Sequence, residues 1–196
     1  MNTRKGILFV ISGPSGVGKG TVRNAVLSKL DDVQMSISAT TRPPRNGEVD
    51  GVDYFFTTPG RFQQMIAAGE LLEWALVYGN LYGTPCEFVS SMLRKGKDVL
   101  LEIDIQGALQ VKKKMPEGIF IFIAPPSVEE LSKRLCGRGN DSAESIQLRL
   151  SACQEEMDHI EYYDYVVVND RIENAVEKVR SIIIAERCRR KNLNLG

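Results

Sequence analysis

The chain has 196 residues, of which 43% are hydrophobic and 26% are charged, as is typical of one soluble globular domain. The 25 Lys and Arg balance the 25 Asp and Glu, so there is no overall positive field, and we expect neither nucleic acid nor membrane as a partner. The four cysteines include no C-x-x-C pair, and the first apolar run is too short for a signal peptide or membrane span, so we predict a cytoplasmic protein with reduced thiols.

The predicted elements alternate between strand and helix. Apolar runs that end at turn-forming residues predict buried strands at Ile7 to Ile11, Val99 to Ile103, Ile119 to Ile123 and Tyr165 to Val168. Helical patterns follow at Lys19 to Leu30, Ser127 to Leu135 and Ile172 to Arg190, and Ser127 and Glu130 have capping-box spacing. This alternation predicts an α/β fold with a doubly wound sheet. We interpret residues 36–83 and 136–159 as insertions that carry specificity and motion, within a single domain whose core is 1–35, 84–135 and 160–196.

The strongest chemical signal follows the first predicted strand, in Gly13-Pro14-Ser15-Gly16-Val17-Gly18-Lys19-Gly20-Thr21. This is G-x-x-x-x-G-K between a strand and a helix, where glycines let the backbone N–H groups surround phosphate oxygens at a helix N-terminus. Lys19 then reaches the β- and γ-phosphates. We predict that this whole loop binds a nucleoside triphosphate, and an ordinary glycine-rich turn is the alternative.

Position 20 departs from the usual loop, which has a Ser or Thr there as a ligand of Mg²⁺. Thr21 is not equivalent, because one helical residue is a rotation of roughly 100°, and its hydroxyl is expected to bond an α-phosphate oxygen. We therefore expect Mg²⁺ to be held mainly by nucleotide phosphates and water. The G-K-G-T sequence is similar to the loop of adenylate kinase, which favours nucleotide phosphorylation.

A second signal lies in the first insertion, where Arg42 and Arg45 enclose two prolines and precede Tyr54. Because proline disfavours helix, the two arginines can form a stiff pair suited to one dianion, and the tyrosine adds a hydroxyl donor. For the arginines considered alone, a solvated loop is the alternative.

Glu102 and Asp104 alternate in the apolar run from Val99 to Ile105. A period of two places both carboxylates on one face at the C-terminal end of a strand, where open α/β sheets bind ligands. Either could hold Mg²⁺ through water, and the capping of nearby backbone N–H groups is the alternative.

Three arginines around the second insertion, Arg134, Arg138 and Arg149, predict a lid. Arginines that close over a transferring phosphoryl group stabilise its charge and exclude water. Without further support, solvated arginines on a polar helix are an equal alternative.

From end to end, the chain resembles guanylate kinase, a P-loop nucleoside monophosphate kinase. Beside the P-loop, the shared motifs are S-x-T-T-R-x-P-R at Ser38 to Arg45, G-E-x-x-G-x-D-Y at Gly47 to Tyr54, G-E-L-L-E-W at Gly69 to Trp74, G-N-L-Y-G-T at Gly79 to Thr84, L-E-I-D-I-Q-G at Leu101 to Gly107, I-A-P-P-S at Ile123 to Ser127, R-L-x-G-R-G at Arg134 to Gly139 and V-N-D at Val168 to Asp170. The resemblance implies a mostly parallel five-stranded sheet, a GMP-binding insertion at 36–83 and a lid at 136–159. It also implies the reaction of Mg-ATP with GMP to give ADP and GDP, in purine nucleotide metabolism.

The resemblance also implies roles for individual positions. For GMP, it assigns the phosphate to Arg42, Arg45, Tyr54 and Tyr82, and guanosine to Glu73, Ser38, Thr84 and Asp104. For ATP, it assigns adenine to Arg134 and Asn169, and it makes Arg138 and Arg149 phosphate clamps. The predicted catalytic residues are Lys19, Arg42, Arg138 and Arg149. Guanine presents N1–H and N2–H donors beside the O6 acceptor, so a carboxylate with hydroxyl neighbours suits it.

Two other functions stay open at this point. Another nucleoside monophosphate kinase would also carry the G-K-G-T loop, but Glu73 with Ser38 and Thr84 suits guanine. The same fold also occurs as a protein-interaction scaffold without catalysis, but such a scaffold has no need to retain the phosphate-binding Lys19.

Overall fold

The computed structural model describes residues 4–77, 79–136 and 156–193. Its strands are β1 (Leu8–Ser12), β2 (Val33–Met35), β3 (Ala39–Thr40), β4 (Phe55–Phe56), β5 (Leu71–Val77), β6 (Asn80–Pro85), β7 (Asp98–Glu102), β8 (Ile119–Ala124) and β9 (Tyr165–Val168). Its helices are α1 (Lys19–Leu27), α2 (Pro59–Ala67), α3 (Cys86–Arg94), α4 (Ile105–Lys114), α5 (Val128–Cys136) and α6 (Ile172–Arg187), and short 3-10 helices lie at Ile160–Tyr162 and Arg190–Asn192.

The central layer is a parallel five-stranded sheet in the order β2-β7-β1-β8-β9. Successive residues of β1 point to opposite faces: Phe9 packs with residues of α1 and α6, whereas Leu8 packs with residues of α3 and α4. Both faces of β1, β7 and β8 are therefore covered, which explains why these strands are apolar throughout. The prediction that Tyr165 to Val168 is a buried strand is only partly right, because β9 lies at the edge of the sheet and leaves Val166 and Val168 exposed. The predicted doubly wound α/β fold is confirmed.

Two helices end differently from the sequence prediction. The first was predicted to run to Leu30 but ends at Leu27, before the turn that leads into β2. The last was predicted to run to Arg190 but ends at Arg187, where Asn192 Nδ2 donates to the carbonyl oxygen of Glu186 at 2.7 Å. That hydrogen bond satisfies a carbonyl of the last turn. At α5, Ser127 Oγ accepts the N–H of Glu130 at 3.2 Å, as the capping spacing predicts.

Within the predicted GMP-binding insertion, the chain forms a second sheet in the order β4-β3-β6-β5, with α2 packed against it. A small core of Ala39, Phe62 and Leu71 stabilises this unit, with Phe55 partly buried against it. The sequence analysis predicted no strand in this stretch. Most of the predicted lid lies outside the described residues, and no helix in the described ranges is long and apolar enough to cross a bilayer.

Candidate active site

The loop from Gly13 to Gly18 joins β1 to α1, so the predicted strand, loop and helix follow one another. Gly13, Gly16 and Gly18 have φ angles of 142°, 86° and 93°, a region that favours glycine. A Cβ at Gly13 would lie 2.2 Å from the carbonyl oxygen of Ile123, so β8 leaves no room for a side chain there. The glycine pattern is therefore required by the shape of the loop.

An anionic side chain lies beside the loop. Burial raises the pKa of Glu156, and the nearby Lys19 ammonium and the backbone N–H of Ser15 oppose that rise. Lys19 Nζ donates to the carbonyl oxygens of Gly13 at 2.5 Å and Pro14 at 3.0 Å. A backbone donor and an ammonium group thus meet where the sequence predicts phosphate.

A pocket of about 470 Å³ opens beside the loop. Arg134 reaches it from α5, and its Nη1 donates to the carbonyl oxygen of Asn169 at 3.0 Å. Asn169 follows β9, and its Nδ2 donates to the carbonyl oxygen of Val17 at 2.8 Å. The two predicted adenine residues therefore meet at the P-loop, whereas Ile172 was not singled out from the sequence. The pocket is lined by Gly16, Val17, Gly18, Thr21, Arg134, Asn169 and Ile172.

The three residues predicted to bind guanine lie in one row across the second sheet. In the strand register, Gly83 of β6 pairs with Ala39 of β3 and with Trp74 of β5. Thr84 follows Gly83 on β6, Ser38 directly precedes β3, and Glu73 precedes Trp74 on β5, where the register with β6 shifts. Thr84 Oγ1 donates to Glu73 Oε1 at 2.6 Å, and both side chains are buried.

Glu73 and Asp104 converge at Gly107. Asp104 caps α4, since its Oδ1 accepts the Gly107 N–H at 2.7 Å. A Cβ at Gly107 would lie 3.1 Å from Glu73 Oε2 and 3.2 Å from Asp104 Oδ1, so glycine makes room for both carboxylates. Burial raises the pKa of Glu73 to about 6, and the Asp104 carboxylate adds to that rise.

This pKa predicts a pH dependence for guanine binding, because N1–H and N2–H need an ionised acceptor. We expect the affinity for guanosine to be constant above pH 7 and to fall as pH drops below about 6, where Glu73 takes up a proton. Calorimetric titration between pH 5 and 8 measures it, and guanosine avoids the phosphate of GMP, which titrates in the same range. A flat profile would show that Glu73 does not bind the base.

Arg42 lies at the centre of an aromatic and anionic cluster. Its Cζ is 5.4 Å from the ring centre of Tyr54, and the pKa of Arg42 is raised by Glu48 first and by the nearby Tyr82 second. The rings of Tyr54 and Tyr82 are 6.0 Å apart. Glu48 accepts two hydrogen bonds from the Arg42 guanidinium, at 3.0 and 2.8 Å. Three of the predicted phosphate residues therefore meet, and Arg45 lies exposed in the same loop.

Sequence analysis gave Glu48 no role, although its negative charge lies near two arginines in the sequence. The prediction that Glu102 and Asp104 share one face of a strand is wrong. The strand β7 ends at Glu102, and the chain turns before Asp104 begins α4. Glu102 instead faces the P-loop, where a Cβ at Gly20 would lie 3.6 Å from its Oε1. Arg138 and Arg149, predicted for the lid, lie outside the described residues.

Comparison with known proteins gives a consistent family. A family model described as guanylate kinase matches residues 5–186. A guanylate kinase of Syntrophomonas wolfei is 63% identical over 192 residues, which cover 98% of this chain and 98% of that protein. A guanylate kinase of Bacillus cereus is 54% identical over 194 residues, covering 98% and 95%. The crystal structure of guanylate kinase from Anaplasma phagocytophilum matches with a TM-score of 0.76 at 35% identity, covering 99% of this chain and 93% of that one.

Proposed function

The chain belongs to the guanylate kinase family and phosphorylates GMP, and we propose that it does so with Mg-ATP bound at the P-loop and GMP bound on the four-stranded sheet. The observation that carries this assignment is the buried Glu73 carboxylate, held by Thr84 in a row that ends at Ser38. The products are ADP and GDP, and the proposed location is the cytoplasm, with ATP and GMP as the partners.

Glu73 recognises guanine by accepting hydrogen bonds from its N1–H and N2–H groups. The carboxylate is almost completely buried, so water does not compete with the base for its hydrogen bonds. Thr84 has one hydroxyl proton, which is directed at Glu73, and we therefore assign the donor for the O6 atom to Ser38. Adenine would place an unprotonated N1 against the carboxylate, which disfavours AMP.

The phosphate of GMP binds at the cluster around Arg42. Tyr82 and Thr84 are two residues apart on β6, so their side chains share a face and are separated by about 6.8 Å along the strand. The base residues and the phosphate residues therefore lie on the same side of the second sheet. Arg42, Arg45, Tyr54 and Tyr82 supply cationic and hydroxyl donors for a dianion.

Phosphoryl transfer requires positioning and charge stabilisation more than covalent chemistry. The phosphates of ATP accept hydrogen bonds from the backbone N–H groups of the P-loop, and Lys19 stabilises the charge on the transferring group. Asp104 lies close to Glu73 on one side and to Glu156 on the other, so the two nucleotide sites meet near it. An oxygen of the GMP phosphate then attacks in line, with Arg138 and Arg149 proposed to exclude water.

The residues beside Gly20 fit a Mg²⁺ ion that travels with ATP. Glu102 Oε2 is buried and, within the described ranges, makes no hydrogen bond, although Arg23 Nη1 lies 2.8 Å away as an ion pair. Glycine at position 20 leaves the space before this carboxylate open. Bound there, Mg²⁺ would neutralise phosphate charge, with Glu102 holding it directly or through water and the remaining ligands from phosphate and water.

A coupled assay for ADP release tests the proposal, with GMP, AMP, UMP and dGMP as parallel acceptors. We expect kcat/KM for GMP to exceed that for AMP roughly 10⁴-fold, because AMP leaves the buried polar groups of the site unpaired. Comparable rates with GMP and AMP would contradict the assignment of Glu73. ADP release that is independent of any acceptor would contradict the assignment of the second sheet as the acceptor site.

A further inference from the structure

We propose that Glu48 is a positioning residue of the GMP phosphate site, where its carboxylate holds the Arg42 guanidinium in the orientation that receives the phosphate. This inference rests on the proposed function, because it requires GMP to bind at Arg42. It adds a residue of opposite charge to a site that otherwise consists of cations and hydroxyls.

The contact between the two side chains fixes the plane of the guanidinium. Arg42 Nη1 donates to Glu48 Oε2 at 3.0 Å, and Nη2 donates to Oε1 at 2.8 Å. Two parallel hydrogen bonds oppose rotation of the planar guanidinium about the Cδ–Nε bond and its shift along the carboxylate. The Arg42 and Glu48 side chains are 13% and 20% exposed, so water competes weakly for the pair.

Glu48 is itself held in place independently of Arg42. Its Oε2 accepts the backbone N–H of Arg45 at 2.7 Å, and its own N–H donates to the carbonyl oxygen of Arg45 at 3.1 Å. Gly47, with a φ of 89°, closes the turn between these two residues. The carboxylate therefore belongs to a closed turn and is a fixed point for the longer arginine side chain.

Arg42 makes further contacts beside those with Glu48. Nη1 also donates to the carbonyl oxygen of Pro43 at 2.8 Å, and the guanidinium stacks near Tyr54 and Phe56, with Cζ 5.4 and 5.9 Å from the ring centres. The hydrogen bonds to Glu48 and Pro43 use Nη1 and Nη2, and Nε lies on the side of Cζ opposite the edge bound by Glu48. An arginine ordered before GMP arrives loses less side-chain entropy on binding.

Glu48 could instead be a competitor that occupies the anion site until the phosphate displaces it. The two roles predict opposite effects of removing Glu48 on the affinity for GMP. A positioning carboxylate strengthens phosphate binding, and its removal weakens the complex. A competing carboxylate weakens phosphate binding, and its removal tightens the complex. The anchoring of Glu48 to Arg45 favours the positioning role, because displacement would also break the turn.

The test compares Glu48→Gln with wild type by calorimetric titration of GMP and of guanosine, which lacks the phosphate. We expect Kd for GMP to rise about tenfold, the weight of one charge-assisted hydrogen bond, while Kd for guanosine changes less than about twofold. The matched control is Glu70→Gln, which removes an exposed carboxylate paired with Arg61 in the same insertion and is expected to leave both constants unchanged.

A double-mutant cycle with Arg42→Met shows whether Glu48 acts through that arginine. In the Arg42→Met background, Glu48→Gln is expected to have no further effect on Kd for GMP. Unchanged or tighter GMP binding, an equal loss for guanosine, or the same loss without Arg42 would each overturn the inference. A wild type that fails to bind GMP would contradict the proposed function instead, and the two failures are therefore distinguishable.

Discussion

Replacement of Glu73 by Gln is expected to lower kcat/KM for GMP by about 100-fold or more, with little change in KM for ATP. Gln keeps the size of the side chain but presents a donor where guanine also presents donors. Two hydrogen bonds to a charged acceptor are impaired, each worth about 1.5 to 3 kcal/mol. The Thr84 hydroxyl can still donate to the remaining oxygen, so the strand geometry is retained. Steady-state kinetics with GMP and AMP measure the effect.

The ratio of kcat/KM for GMP to kcat/KM for AMP shows whether Glu73 determines the choice of base. Gln can donate to the N1 of adenine, and the preference for GMP over AMP is expected to fall. If Glu73→Gln keeps the wild-type ratio, Glu73 does not read the base. Glu70→Gln is again the control, because it removes a carboxylate from the same insertion without reaching the guanine row.

The same variant is expected to be more stable than wild type at neutral pH. The pKa of Glu73 is about 6 in the folded protein, above the 4.5 of an exposed glutamate, so the folded state binds the proton more tightly. Its contribution to stability is therefore complete below pH 4.5 and is lost as pH rises through 6. The shift corresponds to about 2 kcal/mol. Urea unfolding should show Glu73→Gln stabilised by up to this amount at pH 7.5, and the difference should shrink at pH 5.

The buried charge of Glu73 thus lowers stability while it serves recognition of the base. Contacts from α4 hold the strand that carries Glu73 in position. Gln110 on α4 accepts the Trp74 N–H at 3.2 Å and donates to its carbonyl oxygen at 3.1 Å, as a neighbouring strand would. Lys114 Nζ donates to the carbonyl oxygen of Leu71 at 2.5 Å. The helix that begins at Asp104 therefore holds the edge strand that carries the guanine carboxylate.

Strands β1, β7 and β8 of the central sheet could be predicted because they are buried on both faces and leave continuous apolar runs in the sequence. The three-residue edge strand β2 was not predicted. The second sheet could not, because β3 and β4 have two residues each and are stabilised by pairing with distant strands. Motif matching identified Glu73 and Arg42 but did not identify the residues that contact them. The Glu48 contact depends on a turn, and the convergence at Gly107 depends on how α4 packs against β5.

The error at Glu102 and Asp104 has a similar origin. Alternation within an apolar run predicts one face only while the strand continues, and the strand ends between the two residues. The N-cap preference of Asp104 for the helix that follows terminates the strand, and the two carboxylates turn to different parts of the site. A capping residue three positions before Gly107, whose N–H it accepts, was the available signal.

Replacement of Lys19 by Met is expected to lower kcat by at least about 100-fold, by analogy with the loss of one electrostatic donor to a transition state. The ammonium lies beside the P-loop carbonyl oxygens of Gly13 and Pro14, where the β- and γ-phosphates are proposed to bind. Met retains most of the length and apolar surface, so the change removes charge without a large cavity. Single-turnover measurements with saturating ATP and GMP separate the chemical step from binding.

GMP binding provides the opposite expectation for the same variant. The guanine-binding residues and the Arg42 cluster lie on the second sheet, whereas Lys19 is the first residue of α1, after the loop that follows β1. Kd for GMP alone should therefore remain within a few-fold of wild type. Lys29→Met is the matched control, because it removes an exposed lysine paired with Glu177 just beyond α1 and should leave kcat unchanged. If Lys19→Met binds GMP tenfold more weakly, a difference of about 1.4 kcal/mol, the P-loop and the acceptor site are coupled even without ATP.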